Sequence, residues 1–304
     1  MELEAQQMHC PKCGHQQPLA ETCRQCGIVF HKYSESPPRP QLRTAPKSSS
    51  GFPFRLVRQA LRLAFLISLS LAIWAYWKKD QLPPAEFYPE ASLTDPLQDE
   101  TSAQPFEIEV NDIVYRIEPV ADYQLHGVVV SYHDSDAFID IYHHKDWKDF
   151  VNIRDLCVIW GNNVSSEIYR EMDFNNTTWT CWAYWPNGEV ASRFNMQQLS
   201  NNHLLAHDPQ VHNAIMEAEP GDYISFSGVL ARYSHSNGEF QRGTSTTRTD
   251  TGNGACETVF VEDFHIVQKA NSAWRQLYDF AKIFVVLSLL GLLAMLFLAP
   301  VRQR

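Results

Sequence analysis

The sequence predicts a multidomain membrane protein: a small cysteine-rich head, then two apolar helices that flank a β-rich domain. Three observations carry that expectation. Ile283 to Val301 runs for 19 residues without a charge, bounded by Lys282 and Arg302. A helix of about 20 apolar residues spans a hydrocarbon layer about 30 Å thick. A second apolar run, Leu63 to Trp77, lies toward the other end. Between the two, apolar residues mostly alternate with polar ones, the period of a strand rather than a helix.

Charge divides the chain in the same way. The 304 residues carry a net −10, but residues 1–79 are +7, residues 80–279 are −20 and residues 280–304 are +3. So acidic a middle segment repels phosphate backbones, and nucleic acid is not expected as a ligand of residues 80–279. Four of the seven cysteines fall between Cys10 and Cys26, and Cys157, Cys181 and Cys256 lie in the acidic segment. That split fits two compartments of different redox state. No cleavable leader is expected, because the first apolar run starts about 60 residues in.

The head, residues 1–33, holds Cys10-Pro11-Lys12-Cys13-Gly14 and Cys23-Arg24-Gln25-Cys26-Gly27. Two such pairs bring four soft thiolates around one ion, and Zn²⁺ suits them. Cys10, Cys13, Cys23 and Cys26 close the coordination, so the site is expected to be structural rather than catalytic. His9, His15 and His31 are the alternative ligands, and disulfides the alternative chemistry. A segment this small has no core, so the metal would supply its folding energy. The block from Cys10 to Tyr33 resembles the short zinc ribbons at the head of many uncharacterised bacterial inner-membrane proteins. The resemblance implies a bacterial origin and a binding role, and no particular ligand.

Residues 34–55 are Pro/Ser-rich and basic, a flexible linker. Residues 56–78 form the first expected span, entered through Arg39, Arg43, Lys47, Arg55, Arg58 and Arg62 and left through Lys78 and Lys79. That excess places the N-terminus inside, and Trp74, Tyr76 and Trp77 form an interfacial belt at the far end. With a second span at 280–301, both termini are cytoplasmic and residues 80–279 are periplasmic. Residues 79–105, acidic and Pro-rich, read as an extended tether.

The β-rich domain covers residues 106–268. Phe106–Val110 and Ile113–Ile117 flank Asn111-Asp112 as a hairpin. Strands are expected at Gln124–Tyr132, Ala137–Tyr142, Leu156–Trp160, Thr178–Trp185, Asp222–Tyr233 and Glu257–Val267. Asn187-Gly188 and Asn237-Gly238 read as turns. One helix is marked by Asp208 at its N-cap, Pro209 in its first turn, a stripe of Val211, Ile215 and Ala218, and Gly221 beyond its end. The stretch Gly221–Val229 resembles a strand of small OB-like barrels, so the domain is α+β with an OB-like barrel as one form.

Several constellations invite chemistry. In an oxidising compartment Cys157–Cys181 is the favoured disulfide; a bridge from Cys256 to either, or buried free thiols, are the alternatives. Trp147, Trp160, Trp179, Trp182 and Trp185 put aromatics on both faces of one strand, which reads as core, with a sugar-stacking platform as the alternative. His203 and His207 are expected in the turn before the helix, and no glutamate follows His203 as a zinc-protease motif requires. His126, His133, Asp134, Asp136, Asp140, His143 and His144 form a candidate cluster for a divalent metal, solvated loops being the plainer reading. Arg242 to Arg248 offers hydroxyls and two arginines to an anion, or is a polar edge. Asp250-Thr251-Gly252 reads as a Gly turn rather than an aspartic-protease motif, which needs a second carboxylate.

The stretches Asp155–Gly161, Ser200–Leu205 and Asp250–Glu257 resemble signatures of a bacterial family without an assigned activity. The expected function is an inner-membrane adaptor or sensor, its ribbon and its periplasmic domain each taking a protein or envelope partner. The alternative is a membrane-tethered periplasmic hydrolase of envelope glycan or peptide, with His133, Asp134, Asp136 and His203 as acids and bases. A third expectation is nucleic-acid binding by the ribbon and basic linker.

Overall fold

The computed structural model describes residues 6–34, 53–89, 94–137, 142–235, 240–252 and 255–298. They belong to two compact units divided after Pro53. In the first unit β1 (Gln7–His9) and β2 (Gln16–Pro18) pair antiparallel. Two loops of one geometry follow the CxxC pairs: Gly14 N donates to Cys10 O and Gly27 N to Cys23 O, each at 2.9 Å. Both glycines have φ of 71°, the left-handed region where a Cβ is costly. Gln17 is buried and clips the loops together, donating to Thr22 O at 2.9 Å and accepting from Arg24 N at 2.7 Å.

The second unit opens with α1 (Phe54–Lys79). It continues through β3 (Leu97–Asp99), β4 (Phe106–Val110), β5 (Ile113–Asp134), β6 (Asn152–Ile159), α2 (Asn162–Ser165), β7 (Asp173–Thr177), β8 (Thr180–Tyr184) and α3 (Gly188–Arg193). Then come β9 (Leu199–Leu205), α4 (Pro209–Met216), β10 (Tyr223–His235), β11 (Gln241–Arg242), β12 (Cys256–Gln268) and α5 (Ser272–Leu298).

Five strands carry the domain. β5 pairs with β6, β6 with β9, β9 with β12, β12 with β10, and β10 with β5. Every pairing is antiparallel except β9 with β12. Leu125, Leu156, Ile224, Leu230 and Val259 meet inside, and Ile215 of α4 packs on the same cluster.

Local chemistry fixes several of these elements. Asn111 and Asp112 have φ of 52° and 60°, the turn that two-residue hairpins favour, and they join β4 to β5. Asp208 accepts from Gln210 N at 2.6 Å and Pro209 opens α4. Asn187-Gly188, expected as a turn, instead starts α3, where Asn187 accepts from Val190 N at 3.0 Å. The residue types that make turns also cap helices. Ala137 lies outside any strand, and residues 142–146 form a helical turn rather than the end of a strand. Asp140 and Asn237-Gly238 lie outside the described residues.

Gly228 sits at a register shift of β10 against β12, where an added Cβ would stand 2.1 Å from Phe260 O. Gly228→Ala therefore forces the two backbones apart. Overpacking of this kind costs about 1–3 kcal/mol, and a lowered denaturation midpoint of the whole chain in detergent would register it.

Both α1 and α5 are long and apolar enough to cross a membrane, and they carry many exposed large apolar side chains. They run antiparallel: Leu61 meets Gly291, and Trp74 meets Trp274 with ring centroids 5.0 Å apart. Their β-domain ends are tied, since Asn271 Nδ2 donates to Lys79 O at 3.1 Å and Gln81 O at 2.6 Å. Asp222, fully buried, accepts from Arg275 Nη1 at 2.8 Å, Ala270 N at 2.7 Å and Glu219 N at 3.0 Å. The domain thus hangs from one end of a helix pair. Within the stretch expected as an extended tether, Tyr88 is buried and donates to Gly221 O at 3.1 Å, and β3 pairs with β5.

Candidate functional site

In the first unit the sulfurs of Cys10, Cys13, Cys23 and Cys26 lie within 4.8 Å of one another. Two of the separations are 3.5 Å (Cys10 to Cys26) and 3.7 Å (Cys13 to Cys23). Backbone N–H groups, that of Cys26 first, bring the Cys23 thiol down to about 6. The His15 N–H acts likewise on Cys13, yet burial and the neighbouring sulfurs push that thiol up to about 12. Four sulfurs this close cannot all ionise without a cation among them, so the donor set fits a metal ion.

The second site lies on one face of the strands. Successive residues of a strand alternate faces, so the pairing registers define rows. One row runs His133, Asp155, His203, Thr258; the next runs Ser131, Cys157, Asn201, Cys256. Asp155, Asn201 and His203 are buried there, and burying such groups is expensive unless they are paired. His203 Nδ1 lies 2.7 Å from Asp155 Oδ1, and Asn152 Nδ2 donates to that same oxygen at 3.1 Å. Cys256 lies one row away on β12, its thiol directed at Trp179 O at 3.8 Å, and it also favours charge on the imidazole. Burial opposes charge on His203, but the Asp155 carboxylate overrides it and raises the imidazole to about 10. Burial pushes Asp155 up, and the facing imidazolium more than offsets this, leaving it below its ordinary value. The pair is therefore an ion pair at neutral pH.

The β7–β8 hairpin roofs this face. Cys181 is joined to Cys157 by a disulfide with Cα atoms 5.7 Å apart, the pairing favoured from the sequence. Ser131 Oγ donates to Asn176 Oδ1 at 2.5 Å, Asn176 Nδ2 to Asn201 Oδ1 at 2.7 Å, and Asn201 Nδ2 to Trp179 O at 3.1 Å. Trp179 sits in the hairpin turn with φ of 73°, a backbone state that costs a bulky residue about 1–2 kcal/mol. Its ring lies 4.9 Å from His203, 4.5 Å from His143 and 5.1 Å from Trp147, with the Arg242 guanidinium over it. Between roof and strands opens a cleft of about 870 Å³, lined by His203, Cys256, Arg242, Thr244, Trp182 and Trp185 among others.

With both cysteines replaced by alanine, the roof loses a crosslink spanning 24 residues. The expected loss is about 3 kcal/mol of stability, with proteolysis between residues 173 and 185 as the early sign. Limited digestion under oxidising and reducing conditions measures it.

Several sequence expectations are corrected here. His203 belongs to β9, not to the turn before α4; its spacing from His207 mimicked a helix face. β8 is covered on one side only, so Trp182 and Tyr184 are exposed rather than core, and Trp185, one residue past its end, is exposed as well. The candidate hydrolase residues do not converge: Asp134 pairs with Arg154 at 2.5 Å, Asp136 faces His212 at 3.3 Å, and His203 faces Asp155. Among the described residues the divalent cluster does not assemble either: His126 turns to Gln124 at 3.1 Å, and the four N-terminal cysteines alone gather as metal ligands. The two arginines of the suspected anion loop part company, Arg248 going to Glu257 at 2.7 Å and Arg242 onto Trp179. Gly252, at φ of 80°, does form a turn, and Asp250 accepts from Ser245 Oγ at 2.5 Å.

Sequence reasoning missed the Asp155–His203–Cys256 line. A signal was present: Asp155-x-Cys157, Asn201-x-His203 and Cys256-x-Thr258 each put polar or thiol groups two apart, on one face of a strand. Comparisons with protein-family models, with curated proteins and with solved structures found no match for the chain. Its fold and sites define a protein with a β-rich domain, two membrane-capable helices and a thiol cluster fit to hold a metal.

Proposed function

We propose that the chain is a two-pass bacterial inner-membrane adaptor or sensor, with a zinc-bound head in the cytoplasm and a ligand-binding domain in the periplasm. The observation that carries this is the chemistry of the sulfurs: four clustered thiols near one end, a disulfide in the domain between the helices. Thiolate clusters belong with reducing surroundings and disulfides with oxidising ones. The antiparallel helices support the same route, since two adjacent spans return the chain to the side it left. Tetrahedral zinc with Zn–S bonds of about 2.3 Å needs sulfurs about 3.8 Å apart, close to the 3.5 and 3.7 Å found. Zinc there holds the ribbon together and does no chemistry.

The order in which the five strands pair, with the parallel third and fifth strands and a helix between the third and fourth, supports an OB-type barrel. Such barrels bind ligands on the face of strands 2–3 and its flanking loops. The cleft beside β9 and the loop before β12, with exposed Trp182 and Trp185, fits an envelope glycan or peptide, or a partner protein presenting one. The net −20 of residues 80–279 argues against nucleic acid.

Two measurements test this. Metal analysis of the purified chain should find one zinc per molecule, lost in Cys10→Ser. A photo-crosslinker at Trp182 should capture a specific envelope component in cells, and one at exposed Glu109 should not. Equal labelling from both positions removes the cleft as the binding site.

A further inference from the structure

We propose that Cys256 is a nucleophile, activated by His203 and oriented through Asp155, and that the cleft performs acyl transfer on an ester or amide. Asp155 Oδ1 holds His203 Nδ1 at 2.7 Å, and Cys256 stands on the neighbouring strand one row from that imidazole and interacts with it. The thiol also points toward Trp179 O at 3.8 Å, and both Cys256 and His203 line the cleft. A base held by a third group beside a thiol is the geometry of nucleophilic catalysis. Nothing in the barrel's packing asks for it, since apolar side chains at both Asp155 and His203 would fill the face with no desolvation to offset.

A thiolate beside an imidazolium is the nucleophilic form of such a pair. Arg242, stacked on Trp179, acts electrostatically on Cys256 and is the cation at hand for a substrate's carbonyl oxygen. The thiolate sulfur bonds to the carbonyl carbon, the bond to the leaving oxygen or nitrogen breaks, and the His203 proton passes to that leaving group. Water then attacks the thioester. One of its protons goes to His203, the acid is released, and the thiolate–imidazolium pair is restored. Asp155 from β6 and Arg242 from β11 act on this pair, and His143 and Asp149 from the segment before β6 and Tyr233 from β10 act on those two in turn.

The test is alkylation of the full chain in detergent by iodoacetamide, followed at Cys256 by peptide mass spectrometry across pH. An ordinary thiol titrates near 8.5. Cys256 is expected to react at least about tenfold faster than such a thiol at pH 6, and to form an acetyl adduct with p-nitrophenyl acetate. His203→Gln should abolish both effects, Asp155→Asn should weaken them, and the Cys157–Cys181 disulfide should persist in each as the check on folding. An ordinary thiol profile in the wild-type chain, or reaction only after denaturation, overturns the proposal without recourse to a variant. Such a result would leave the ligand-binding reading intact, because no envelope component enters the measurement.

Discussion

Asp155→Ala is expected to destabilise the β domain by about 3–5 kcal/mol, the cost of leaving one member of a buried ion pair alone. Asp155 is fully buried, and its carboxylate is what raises His203 to about 10. The pH dependence has a definite sign. His203 is raised from 6.5 to about 10 by folding, so its stabilisation is complete below 6.5 and is lost as pH climbs through 10. Asp155 is lowered from 3.8, so its share is present above 3.8 and is lost as the medium becomes more acidic than its folded value. The native chain should therefore be most resistant to denaturant between about pH 4 and 6.5 and weaken toward pH 10. Asp155→Ala should lose most of that alkaline slope. Denaturant midpoints at pH 5.5 and pH 9 give both numbers; an unchanged slope in the variant would show that another group governs it.

Metal removal should be the other large effect. The first unit buries little beyond Cys10, Cys23 and Gln17, so no hydrophobic core remains once the ion is gone. Structural zinc sites of this type contribute apparent binding free energies of about 10–16 kcal/mol at neutral pH, far more than two three-residue strands can offer. A strong chelator, or Cys23→Ser, should abolish amide-exchange protection across residues 6–34. Falling pH should do the same, because protons compete for the sulfurs. Protection that survives both treatments would mean the head folds without metal.

Local chemistry was legible in the sequence, and long-range pairing was not. Asn111-Asp112, Asp208-Pro209 and the two CxxC-Gly turns act within a few residues, and each forms as read. The parallel pairing of β9 with β12 joins residues some 55 apart in sequence, and no local pattern announces it. That pairing is what sets Cys256 beside His203. Trp182 and Trp185 misled because hydrophobicity alone does not say how many layers cover a strand. Tyr88 was hidden inside a Pro-rich, acidic stretch whose average composition reads as linker, although its own ring is buried and its hydroxyl is bonded to Gly221.

The route through the membrane can be read directly from the reach of an impermeant maleimide. Cysteines introduced at two exposed positions, Ser34 in the head and Glu109 in the β domain, serve as markers in spheroplasts, with label assigned to each introduced position by peptide mass spectrometry because the native free thiols react as well. Labelling of Glu109→Cys in intact spheroplasts, with Ser34→Cys reacting only after permeabilisation, is the expected result. The reverse pattern would put the thiol cluster outside and the disulfide-bearing domain inside, and would contradict the account.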